Sequence, residues 1–236
     1  MFRSLSLGVV FMASALGQAH PPQILEVARE YLKPGAVPAV HKIEVDAAQI
    51  CIRLKFPHRY LVLESLTGPK EFWYLNAFDS QAELDEVSRE YEGNKALKSA
   101  LAENLKRKAP YLAAESTNVF LNYRPGLSGE LSGELSGGTP WVMGHGRFLV
   151  TAWTKGSAGD IQAKSASRFA GTGGTVFEGP DGNRLVIRAV RTRAEAESMA
   201  AAAGVGAHVF AVHPELGWPD EEWVTADPEF WRVRQR

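Results

Sequence analysis

The chain has 236 residues, with 26 lysines and arginines against 27 aspartates and glutamates, a net charge of −1. Charges this balanced and interspersed supply no electrostatic reason to bind nucleic acid or an anionic membrane. A lone cysteine, Cys51, rules out an intrachain disulfide, and at an apolar helical position it reads as a small buried hydrophobe rather than a reactive thiol.

Met1-Phe2-Arg3-Ser4 and the apolar run Leu5 to Leu16 have the form of a signal peptide. Gly17 and Ala19 put small residues at −3 and −1, so cleavage is expected before His20 and the protein is expected to be exported, periplasmic or extracellular. The run is shorter than the roughly 20 apolar residues a membrane span needs, so no span is expected after cleavage.

The first unit, residues 20–126, then reads as follows. Ile24 to Lys33 is a strand stopped by Pro34-Gly35. Val40, Ile43, Ala47, Ile50, Cys51 and Leu54 recur at three- and four-residue spacing, the apolar face of a helix that Pro57 ends. Tyr60 to Leu66 and Glu71 to Phe78 form a hairpin around Thr67-Gly68-Pro69-Lys70. Ser80-Gln81-Ala82-Glu83 has the form of a capping box, and Gly93-Asn94 interrupts the helix it opens. Asn118 to Tyr123 is a final strand, giving the order β-α-β-β-α-β.

Leu127-Ser128-Gly129-Glu130 repeats as Leu131-Ser132-Gly133-Glu134 and then as Leu135-Ser136-Gly137-Gly138, and the Ser/Gly-rich stretch 127–140 reads as a flexible linker. Residues 141–236 repeat the plan in weaker form. Arg147 to Trp153 is a strand, and 155–172 fill the first-helix slot with Gly, Ser and Ala. A hairpin turns at Gly179-Pro180-Asp181-Gly182, Thr192-Arg193-Ala194-Glu195 is a second capping box, and a strand runs through His208-Val209-Phe210. Aligning the two boxes sets Trp73, Leu75 and Ala77 against Leu185, Ile187 and Ala189, and Asn118-Val119-Phe120 against His208-Val209-Phe210. These coincidences argue for an internal duplication.

A doubled β-α-β-β-α-β unit, with Leu32-Lys33-Pro34-Gly35 at the end of its first strand and Glu64-Ser65-Leu66-Thr67-Gly68-Pro69 through Trp73 at its hairpin, resembles the dimeric α/β-barrel superfamily of ferredoxin-like folds. That superfamily includes the NIPSNAP and antibiotic-biosynthesis-monooxygenase groups. The resemblance implies an α+β fold in which two four-stranded sheets close a barrel with helices outside, here within one polypeptide. Haem-degrading members use an Asn, a Trp and an axial His. Trp73 and Asn76 share a strand, but their spacing sets them on opposite faces, and no helical histidine matches the ligand. No cofactor is expected.

Strand alternation sorts the hairpin into two faces. With the turn centred near Gly68-Pro69, Glu64 is expected opposite Tyr74, Val62 opposite Asn76 and Tyr60 opposite Phe78. The uniformly apolar face (Leu61, Leu63, Trp73, Leu75, Ala77) is expected to meet the helices, and the mixed face to point into the barrel, with Arg188 arriving from the other half. The expected site is therefore a barrel cavity in which Tyr60, Tyr74, Asn76, Phe78 and Arg188 bind a small molecule. Glu64 is the candidate general base, or else half of an ion pair with Arg188. None of the six histidines forms a local metal motif, and no metal site is expected. The aromatic tail from Trp218 to Trp231 is expected to pack as a lid over a barrel end or groove. Three functions remain open: an exported small-molecule-binding barrel, a cofactor-independent monooxygenase-like enzyme acting on an aromatic or polyketide-like substrate, and a cell-surface interaction module.

Overall fold

A computed structural model describes residues 20–128, 141–155, 174–204 and 206–231. The leader-like stretch, most of the Ser/Gly-rich linker and most of the 155–172 slot lie outside the described residues. The first half runs β1 (Ile24–Tyr31), α1 (Val37–Arg53), β2 (Tyr60–Ser65), β3 (Glu71–Phe78), α2 (Gln81–Gly93), α3 (Lys95–Lys108) and β4 (Thr117–Tyr123). The second runs β5 (Phe148–Lys155), β6 (Thr175–Glu178), β7 (Asn183–Val190), α4 (Arg193–Ala203) and β8 (Ala207–Val212), then two short helices, α5 (Glu221–Ala226) and α6 (Pro228–Trp231). No helix among the described residues is long and apolar enough to cross a membrane.

Local chemistry accounts for the element ends. Gly35 takes a positive φ of 77° to turn β1 into α1. Thr192 and Glu195 make a complete capping box for α4. At α2 only half of the box forms. Ser80 accepts from Glu83 N–H at 3.2 Å, but the Glu83 carboxylate takes the N–H of Asp79 instead of that of Ser80. Asn94 then separates α2 from α3 and caps the second, accepting from Leu97 N–H at 3.1 Å.

The eight strands close one antiparallel barrel in the order β1-β3-β2-β8-β5-β7-β6-β4, with β4 returning to β1. Each half contributes one sheet with the ferredoxin-like order, β4-β1-β3-β2 and β8-β5-β7-β6. The halves meet at two seams, β2 with β8 and β4 with β6. Where the halves are matched strand by strand, Leu63 corresponds to Phe177 and Val212 to Tyr123. Leu63 pairs with Val212 across one seam, as Phe177 pairs with Tyr123 across the other. The seams thus share one register, as two copies of a single unit related by a pseudo-two-fold require. The same pairings correct the expected match of the last strands. With Leu75 on Ile187, His208 corresponds to Val119 rather than Asn118.

Two further expectations are corrected. The hairpin register is shifted by two residues, so Val62 faces Tyr74 and Tyr60 faces Asn76. Ser65 causes this by closing the loop early, its hydroxyl donating to Pro69 O at 2.7 Å and accepting from Glu71 N–H at 2.9 Å. A two-residue shift keeps every side chain on its face, but the faces themselves are exchanged. Leu61, Leu63, Trp73, Leu75 and Ala77 point into the barrel, where they pack with Leu185, Ile187 and Phe210 of the other half. Tyr60 and Val62 pack under the helices. The lumen of a closed barrel gives polar groups little access to water, so the more apolar face goes inward, its one carboxylate, Glu71, being paired with Arg29, and the mixed face goes to the helical layer.

The aromatic tail packs as a lid. Trp223 and Trp231 join the barrel-interior cluster, and their rings lie 5.8 Å apart. Arg147, just before β5, holds this cap through a two-pronged contact with Asp227, both hydrogen bonds 2.9 Å long. Gly144 passes the face of Trp223 with φ 81°, so close that a Cβ would lie 2.1 Å from the ring.

Candidate functional site

The exchange of faces moves the cavity. The barrel lumen is largely filled by side chains, with a recess of about 420 Å³ at the end opposite the tryptophan cap, beside Arg29 and Trp153. Arg29 is already engaged there, donating from Nε and Nη2 to both oxygens of the Glu71 carboxylate and lying over the rings of Tyr31, Trp73 and Trp153. A cavity of about 470 Å³ lies instead outside the barrel, between the first sheet and helices α1, α2 and α3.

Four of the expected binding residues, Tyr60, Tyr74, Asn76 and Phe78, line this cavity together. Glu64 and Arg188 are not among its lining residues. Glu64 stands on β2 beside the seam with β8, and its carboxylate accepts from His213 at 3.0 Å. Arg188 lies on β7, where its neighbours Val186 and Val190 face the helix side of the second sheet. β8 and β5 separate the two strands, so the expected Glu64–Arg188 pairing in a shared lumen is corrected.

The polar heart of the cavity joins residues from four separate elements, which no local sequence pattern links. Lys108, at the end of α3, places Nζ 2.6 Å from Glu30 Oε1 and 2.7 Å from Glu44 Oε1. Tyr74 donates its hydroxyl to Glu30 Oε2 at 2.8 Å and receives a bond from Lys108 at 3.2 Å. All three charged side chains are buried. Burial pushes the Glu44 carboxyl above its ordinary range, against the pull of Lys108 and with the help of Glu30. Burial likewise raises the Tyr74 phenol well above its ordinary value, and the charges of Glu44 and Glu30 add to the effect. For Lys108 burial works the other way, but the two carboxylates outweigh it and hold the ammonium above its usual value.

The rest of the wall is apolar or neutral. His58 stacks on Phe78 with ring centroids 4.4 Å apart and donates Nε2–H to Ala77 O at 2.7 Å. Burial lowers its pKa, which favours the neutral imidazole. Glu26, at the open side, accepts from Asn76 at 3.0 Å and from Asn118 at 2.6 Å. Helix α2 buries none of its own residues and covers the cavity loosely with Leu84, Val87 and Tyr91. One sequence signal did point here. Glu44 falls on the apolar face of α1, in step with Val40, Ala47 and Cys51, where a charge needs a partner.

A second polar cluster lies at the seam. Glu215 Oε1 is 2.9 Å from His41 Nε2 and 3.1 Å from His213 Nδ1. Burial would depress His213, but hydrogen bonds to Glu215 and Glu64 outweigh it and raise its pKa to about 9. Burial opposes ionisation of Glu215, yet its bonds, first that from His213, bring it down to about 2.

No family model matches the sequence, and no curated protein matches it. Among solved structures, the chain is similar to a provisionally named monooxygenase from Fusobacterium nucleatum subsp. nucleatum, with 8% identity, TM-score 0.46 and coverage of 89% of this chain and 88% of that one. It is similar to a NIPSNAP domain protein from Burkholderia xenovorans, with 18% identity, TM-score 0.35 and coverage of 43% and 95%. It is also similar to a provisionally named antibiotic biosynthesis monooxygenase from Caulobacter crescentus CB15, with 20% identity, TM-score 0.32 and coverage of 43% and 90%. The strand order of each half carries the fold assignment itself: a duplicated ferredoxin-like unit, closed into an α+β barrel within one chain.

Proposed function

We propose that the protein binds a small molecule with an apolar body and a hydrogen-bond-donating or cationic group in the cavity beneath α1, α2 and α3. The observation that carries this reading is the combination of an aromatic and aliphatic wall with one buried polar cluster, in a volume of about 470 Å³. Ligand sites commonly have volumes of about 300–1,000 Å³ and a few convergent polar groups in an apolar lining. Glu26, Glu30 and Glu44 outnumber Lys108, so this wall favours a donor or a cation over an anion. Native mass spectrometry on protein purified from its own organism, before and after mild denaturation, tests the reading. Wild-type protein is expected to release a small molecule that a cavity-filling Ala28→Phe variant lacks while still folded. The same molecule on both proteins would contradict the site.

A proton-transferring enzyme, such as a cofactor-independent oxygenase acting on an acidic phenol or enol, is the second reading. The raised pKa of Glu44 favours it, because a carboxylate poised nearer neutrality is a better general base. Glu64, held down chiefly by its bond from His213, is a weaker base. On this reading Glu44→Gln abolishes turnover and leaves binding in place. The interaction-module reading loses its support, because Trp223 and Trp231 of the tail are buried in the barrel end.

The leader-like residues 1–19 support export, and the first residue of protein recovered from its source is then His20. Recovery of protein still beginning at Met1 would contradict this.

A further inference from the structure

We infer that His41, His213 and Glu215 form a divalent-cation site of the open, three-ligand kind, suited to Zn²⁺, with Glu64 orienting His213 from behind. The three candidate donors, His41 Nε2, His213 Nδ1 and a Glu215 carboxylate oxygen, all lie within 4.8 Å of one another. Tetrahedral zinc with bonds of about 2.0–2.1 Å sets its ligand atoms about 3.3 Å apart. The observed separations from Glu215 Oε1, 2.9 and 3.1 Å, need only a few tenths of an ångström of opening.

The surroundings of His213 set this group apart from a chance meeting of charges. Glu64 Oε2 lies 3.0 Å from Nε2, the ring nitrogen that faces away from Glu215. With Nε2–H held by that carboxylate, a cation displaces the Nδ1 proton that otherwise bonds Glu215 and takes the lone pair there, the arrangement by which metal-binding imidazoles are oriented. The backbone is fixed as well. His213 N–H donates to Val62 O at 2.9 Å, and Leu216, fully buried, donates back to His213 O at 3.2 Å. His41 is carried by α1 of the first half, while His213 and Glu215 follow β8 of the second, so the donors come from two elements that meet only in the closed fold. Side-chain exposures of 33% for His41, 20% for His213 and 28% for Glu215 leave room for water as a fourth ligand. Two imidazoles and one carboxylate are borderline donors that suit zinc better than magnesium or calcium.

The full chain, purified without a polyhistidine tag and stripped with a chelator, is titrated with Co²⁺ by visible absorption and with Zn²⁺ by calorimetry. One equivalent is expected to bind, with intense low-symmetry cobalt bands that Zn²⁺ displaces. Glu64→Gln is expected to weaken binding about 10–100-fold, as loss of an orienting partner does. His41→Gln and Glu215→Gln are expected to weaken it at least as much. Circular dichroism confirms that each variant is folded, and these half-exposed positions remain decisive if a His213 variant does not fold. The absence of one-equivalent binding, or binding unchanged in folded His41→Gln and Glu215→Gln, overturns the site.

Discussion

Lys108 Nζ lies 2.7 Å from Glu44 Oε1, with both side chains withdrawn almost entirely from water. Glu30 is the ammonium's second carboxylate, so removing Lys108 strands two buried acids at once. Breaking a buried ion pair by deleting one partner costs about 3–5 kcal/mol. Lys108→Met is expected to lose about that much in urea unfolding, and Lys108→Met with Glu44→Gln to recover part of the loss. A Lys108→Met protein as stable as wild type would show that the cluster is hydrated.

The same cluster sets a pH dependence. Glu44 titrates higher in the folded chain than in the unfolded one, chiefly through burial, so protons bind preferentially to the folded state. Its contribution is fully present below the ordinary carboxylate range and is lost as pH rises through the folded value. Glu44→Gln removes that titration. The variant is expected to gain stability relative to wild type as pH increases, read as a rise in its Tm minus that of wild type from pH 4.5 to pH 8. A signed difference that stays flat or falls would contradict the assignment.

The tryptophan cap belongs to the core of the barrel. Trp231 is 1% exposed and packs against Trp223, so Trp231→Ala opens a void expected to cost about 3–5 kcal/mol. Gly144→Ala should be severe for a change of one methyl group, because it meets both a positive φ and the Trp223 ring. Combining it with Trp223→Ala removes the clash and should make the two losses less than additive in chemical denaturation. Full additivity would indicate that Gly144 is constrained by its backbone alone.

The strands, helices and duplication were legible because their signals are local: alternation in the hairpins, the boxes at Ser80 and Thr192, the turns at Gly-Pro. Which face of the hairpin points inward was not legible. Alternation separates Leu61 and Trp73 from Tyr60 and Tyr74, but only barrel closure decides which pair is sealed from water. Tyr60, Tyr74, Asn76 and Phe78 line one cavity because they share one face of one hairpin. Glu30, Lys108, His41 and His213 meet only after distant elements pack. Glu44 alone left a trace, a charge on an apolar helical face.

The proposed ligand site lies under the helices of the first half and not in the barrel. The most direct measurement is a crystal structure of the protein purified from its own organism, examined for bound density. Density is expected between the first sheet and α1, α2 and α3, touching Tyr74 and Asn76. Density in the barrel recess beside Arg29, with the outer cavity closed by its own side chains, would contradict it.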